Sequence, residues 1–131
     1  CLLKDTMQIS SFYQGGFHLG HSAMMINEGL PNFLVNKMKA KYDLNKRKVG
    51  ILGMAFKANV DDTRDSLSFR LSKILKFSGA EVFCSDEFAK NPDFVTKEEI
   101  IDNCETVIIA TPHSSYNNLK FPESIDVIDI W

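Results

Sequence analysis

From Lys48 onward the chain alternates short apolar runs with helical stretches, and that alternation leaves few folds open. "KVGILGMA" is apolar on both faces, as a central parallel strand must be. "DSLSFRLSKILKFSG" carries Leu67, Leu71, Ile74 and Leu75 at helical spacing. Asp65 or Ser66 can cap that helix and Gly79 can end it. "EVFCSD" reads as a second strand and "TKEEIIDNC" as a short helix, with Thr96 as cap and Glu99 in capping-box position. "TVIIATPH" and "DVIDIW" supply a third and a fourth strand. Strand, helix, strand, helix, strand implies an α/β fold, a parallel sheet with flanking helices and right-handed crossovers.

The first third of the chain has a different rhythm. Residues 1–16 have mixed periodicity and end at Gly15-Gly16. From His18 the pattern is helical, with Ala23, Ile26, Leu30, Leu34, Met38 and Tyr42 recurring at intervals of three and four. Gly29 and Pro31 interrupt this stripe, so a kink is expected, or one helix ending and another starting with Pro31 in its first turn. The polar connection "DLNKRK" at 43–48 is the one plausible boundary. It divides a helical segment, residues 1–45, from an α/β domain, residues 46–131.

Bulk properties exclude several classes. A net charge of -2 argues against a general nucleic-acid grip, which needs a basic face. No apolar run approaches the ~20 residues of a membrane span, so no membrane partner is expected. Three widely spaced cysteines make neither a disulfide framework nor a zinc site, and a reducing cytoplasm is the simplest setting. Cys84 in a strand and Cys104 at a helix end are read as structural, and no metal is expected.

In parallel sheets ligands sit beyond the carboxyl ends of the strands. The residues placed there are Phe56 and Lys57 after the first strand, Asp86 after the second and His113 after the third. The loop "GMAFKANVDDTRDS" has neither G-x-G-x-x-G nor G-x-x-x-x-G-K-[ST]. Lys57 as a point charge and Arg64 as a fork would suit phosphate groups. Alternatively Arg64 pairs with Asp61 or Asp62 and merely ties the loop. His113 is read as a turn hydrogen-bonder rather than a catalyst.

"GILGMAFKANVDDTRDS" resembles the C-terminal domain of the nucleotide-sugar 6-dehydrogenases, the UDP-glucose and UDP-N-acetylmannosamine dehydrogenase family. One position departs, Val60 standing where that family usually has threonine. "EVFCSDEF" and "VIIATPHSSYNNL" resemble the family's second and third strands with their following turns. "MINEGLPNFLV" resembles its central dimerisation helix, and "CLLKDT" its catalytic-cysteine motif. The resemblance covers essentially the whole chain.

The resemblance implies a Rossmann-like domain preceded by a helical dimerisation segment, and an NAD-dependent oxidation of a sugar C6 alcohol to a carboxylate. Residue by residue, it places Cys1 as the nucleophile that captures the aldehyde. Asp5 assists hydrolysis of the resulting thioester. Phe56 and Lys57 fall at substrate contacts, and Leu2, Leu3, Lys4 and Arg64 at positions near NAD. A thiolate suits the first role and a carboxylate the second. A homodimer through residues 18–42 is implied as well. The chain opens inside a motif, which leads us to expect a piece of a longer enzyme whose NAD-binding domain precedes it and which continues past Trp131. "CLLKDT" leans toward UDP-glucose. The other possibilities are a UDP-N-acetylhexosamine substrate, or a non-catalytic nucleotide-binding or dimerisation module of the same ancestry.

Overall fold

A computed structural model describes residues 2–13 and 16–131, with the side chains of Leu2 and Leu3 excepted. Two helices come first, α1 (Leu2–Phe12) and α2 (His18–Lys41). The remainder runs β1 (Lys48–Leu52), α3 (Leu67–Phe77), β2 (Glu81–Ser85), α4 (Lys97–Asn103), β3 (Thr106–Ile109), a 3-10 turn (Ser114–Tyr116) and β4 (Asp126–Asp129). The strands form one parallel sheet in the order β2-β1-β3-β4, as the alternation requires.

Alternation along the strands sorts side chains between two cores. Val49 and Ile51 of β1 and Ile108 of β3 pack with α2 and α3 through Val35, Met38, Leu71 and Leu75. Leu52 and Val107, one residue out of step, pack on the other face with Ile100, Cys104 and Tyr116. The close approach of α4 to β1 depends on Gly50, where a Cβ would fall on the Ile100 side chain. Leu44 also joins the first core, so the second half of α2 and its connection are packed onto the sheet.

Local signals place the helix ends. Ser66, not Asp65, caps α3, its hydroxyl accepting from the Ser68 N–H at 3.3 Å. Thr96 and Glu99 form the reciprocal capping box at α4.

α2 departs from expectation in one way. It does not break at Gly29-Pro31, and Pro31 lies inside one helix of 24 residues. Its apolar stripe divides along the helix. Met38 is buried and Leu34 and Tyr42 pack against the first core beside Val35, whereas Ala23, Ile26 and Leu30 are exposed. Arg70 of α3 fixes the contact, donating to the Glu28 carboxylate at 2.6 Å and to the Glu28 carbonyl at 2.9 Å. α1, unassigned from its mixed periodicity, is also helical. Among the described residues no helix is long and apolar enough to cross a membrane.

Candidate functional site at the carboxyl edge

The strand register brings Leu52, Ser85 and Ile109 level, so the loops after β1, β2 and β3 leave the sheet side by side. The first turns at Gly53, whose φ of 93° lies in the left-handed region. A Cβ there would meet the Thr111 Cβ, N and O at 2.5, 2.6 and 2.8 Å. Gly53→Ala is therefore expected to destabilise the fold by about 2–4 kcal/mol, from backbone strain plus a clash that side-chain rotation cannot relieve. The midpoint of urea unfolding measures it, and a midpoint equal to wild type would show that the Gly53–Thr111 approach is not required.

Asp86 gathers the three loops. Its Oδ2 accepts from the Met54 and Ala55 N–H groups at 2.6 and 2.8 Å, and its Oδ1 from those of Phe88 and Ala89, both at 2.8 Å. His113 Nε2 lies 3.1 Å from Oδ2, and neither side chain is exposed to solvent. Burial acts to raise the Asp86 pKa. Hydrogen bonds from Ala89, Phe88, His113 and Ala55 outweigh it and hold the carboxyl below its ordinary value. The Thr111 hydroxyl donates to the Ala55 carbonyl at 2.8 Å, closing the β3 loop onto the β1 loop. Phe88 and Tyr116 flank the imidazole, with ring centroids 5.0 and 5.3 Å away.

Beyond Ala55 the β1 loop closes on itself, the Phe56 N–H donating to the Asp62 carbonyl at 2.7 Å. Residues 57–61 form its tip. Lys57 is exposed there and has no ion pair or hydrogen bond among the described residues. Phe56 beside it is 39% exposed, enough to offer a ring face to a ligand.

Arg64 takes the structural alternative and binds the Asp62 carboxylate through Nε at 2.9 Å and Nη2 at 2.8 Å. The Arg64 side chain and backbone hydrogen bonds hold the Asp62 carboxyl far below the usual range. Lys4 of α1 reaches Asp65 at 2.7 Å. The structure thus brings Lys4 and Arg64, two of the residues expected near NAD, into one cluster, but with two aspartates that balance their charge. Asp5 lies in the first turn of α1. Cys1 and the side chains of Leu2 and Leu3 lie outside what the structure describes. Cys104 is buried and Cys84 partly buried, and burial pushes the first thiol up to about 11 and raises the second, as befits inert thiols.

Sequence reasoning put Asp86 and His113 on the correct edge but did not see that they touch. It missed Asn59 and Thr111 altogether. Thr111 and Asn59 had one available signal each: the first polar residue after an apolar strand, and an asparagine, which tolerates a left-handed backbone.

Comparison with known proteins identifies the domain that carries this edge. Residues 50–129 match the family described as UDP-glucose/GDP-mannose dehydrogenase family, UDP binding domain. The chain belongs to that family. Its relatives include the UDP-N-acetyl-D-mannosamine dehydrogenase of Methanocaldococcus jannaschii, 33% identical over 74% of this chain and 23% of the relative. The enzyme of the same name from Pyrococcus horikoshii is 28% identical over 95% of this chain and 31% of the relative. Among solved structures, a UDP-glucose dehydrogenase from Pyrobaculum islandicum superimposes with a TM-score of 0.85 at 28% identity, covering 98% of this chain and 33% of that one. This family member therefore spans about a quarter to a third of the relatives it matches. The matched stretch contains the whole Gly53–Ser66 loop, Asp86 and His113.

Proposed function

We propose that the protein is the UDP-binding portion of an NAD-dependent dehydrogenase that oxidises the C6 alcohol of a UDP-sugar. One observation carries this reading. An exposed lysine with no ion pair among the described residues stands on a hydrogen-bonded loop at the carboxyl edge of a parallel sheet, inside the stretch that matches a UDP-binding domain. Lys57 contacts the anionic nucleotide sugar and Phe56 packs beside it. Cys1 is the nucleophile and Asp5 assists hydrolysis of the thioester, roles that rest on the "CLLKDT" motif. NAD supplies the hydride acceptor. Leu2, Leu3, Lys4 and Arg64 border it, a placement supported by the convergence of Lys4 and Arg64. Because Asp62 and Asp65 balance those two cations, they serve the cofactor by hydrogen bonding more than by net charge.

Both curated relatives above act on UDP-N-acetyl-D-mannosamine, which favours that sugar, whereas the lysine of "CLLKDT" favours UDP-glucose. The two are separated by their relative kcat/KM in the full-length protein. Oxidation to the acid releases two NADH per sugar consumed, and that stoichiometry is the test of the reading. No NADH from either sugar, with UDP binding retained, would favour a non-catalytic nucleotide-binding module instead.

The division at residue 45, with the helical segment serving dimerisation, is part of the proposal. Leu19, Met25, Ile26, Leu30 and Phe33 leave an apolar face of α2 exposed. Faces of that kind mark interfaces. Sedimentation at micromolar concentration should show a dimer, and Ile26→Asp with Leu30→Asp should yield monomers. A wild-type monomer would contradict it.

A further inference from the structure

We propose that Asp86, His113 and Asn59 form a positioning relay that fixes where the loop tip holds Lys57, so that they act on nucleotide binding through Lys57 without touching the ligand. The proposal rests on the UDP-binding reading above.

The chain of contacts is directional. The Asn59 N–H donates to His113 Nδ1 at 2.9 Å. Nδ1 is thus an acceptor, which leaves the ring hydrogen on Nε2, facing Asp86 Oδ2 at 3.1 Å. Asp86, fixed by four backbone N–H groups, holds the imidazole, and the imidazole holds the backbone of Asn59. The Asn59 side chain completes the grip, its Oδ1 accepting from the Ser114 N–H and hydroxyl, both at 3.0 Å. These bonds keep Asn59 at a φ of 59°, a conformation that asparagine tolerates better than most residues.

The strands and the base of the loop are secured by other bonds, those of Thr111 to Ala55 and of Phe56 to Asp62. Of residues 57–61, only Asn59 has hydrogen bonds among the described residues, and all run to His113 and Ser114. The relay is therefore the only hydrogen-bonded tie, among the described residues, of the tip that carries Lys57, and its arm from His113 to Asn59 is not among the bonds that secure the sheet beneath. A buried Asp–His pair spent on one backbone N–H two residues from an exposed cation is what a placement device requires.

The test is a double-mutant cycle read by calorimetric titration of UDP into the purified protein, with thermal unfolding measured alongside. His113→Phe keeps a ring but neither nitrogen. Asn59→Gly keeps the left-handed backbone but not Oδ1, and carries the test should His113→Phe fail to fold. Each is expected to weaken UDP binding about tenfold, equivalent to one ordinary hydrogen bond's worth of placement. Added to Lys57→Ala, each should cause no further loss, because the relay acts only through that lysine. Wild-type affinity in folded Asn59→Gly, or losses that add to that of Lys57→Ala, would overturn the relay while leaving the UDP site standing. Failure of the wild-type protein to bind UDP would overturn both.

Discussion

Alanine at position 86 should cost the fold about 3–5 kcal/mol, the usual penalty for emptying one side of a buried charge-assisted network. The carboxylate answers four backbone N–H groups and an imidazole, all at the junction of three loops. Removing it leaves those donors buried with no acceptor, and the cavity is too polar to collapse. For a domain of this size the melting temperature should fall by roughly 10 °C or more. The same group predicts an acid dependence. Its folded-state pKa lies below the ordinary 3.8, so its contribution is complete above that value and is lost as pH falls through the lower folded value. Asp86→Asn should flatten this part of the acid-unfolding curve. An Asp86→Ala protein melting within a degree or two of wild type would show that the loops are held by something else.

The second large effect separates binding from chemistry. Lys57→Ala should weaken UDP-sugar binding and lower kcat/KM by roughly one to two orders of magnitude, the loss of one charge-assisted hydrogen bond of about 1.5–3 kcal/mol. Stability should change little, because Lys57 is exposed and has no partner among the described residues to lose. If Lys57 instead braced the loop, the melting temperature would drop and kinetics in the folded fraction would stay near normal. Cys1→Ser in the full-length protein gives the contrast. It should abolish the overall four-electron oxidation and leave UDP-sugar binding close to intact, since a serine hydroxyl at neutral pH is a far weaker nucleophile than a thiolate. Equal binding by the two variants would remove Lys57 from the site.

Much of this architecture is written in local patterns. The Thr96–Glu99 capping box joins residues three positions apart, and the apolar runs of β1 and β3 are continuous, so both read directly from the sequence. The parallel sheet followed from their alternation. α2 was harder, because its apolar stripe runs the length of the helix, and only docking on the sheet decides that Leu34, Met38 and Tyr42 are covered while Ala23, Ile26 and Leu30 are not. Pro31 removes one helical donor, a cost that packing of a long helix absorbs. The site was legible as an edge and not as a network. Asn59 and His113 are 54 residues apart and Asp86 and His113 are 27 apart, and no local rule couples them. Arg64 could be read toward a ligand or toward its own loop, and the aspartate two positions before it takes the guanidinium.

The most direct test of a nucleotide site at the carboxyl edge is an amide map of the ¹⁵N-labelled protein during titration with UDP. Saturable shifts should concentrate on residues 55–60 and extend to Ser114, the partner of Asn59, while Lys48, Glu105 and Asp126 at the opposite edge stay still. Shifts confined to that opposite edge, or no saturable shift at millimolar UDP, would contradict a UDP site built on the Gly53–Ser66 loop.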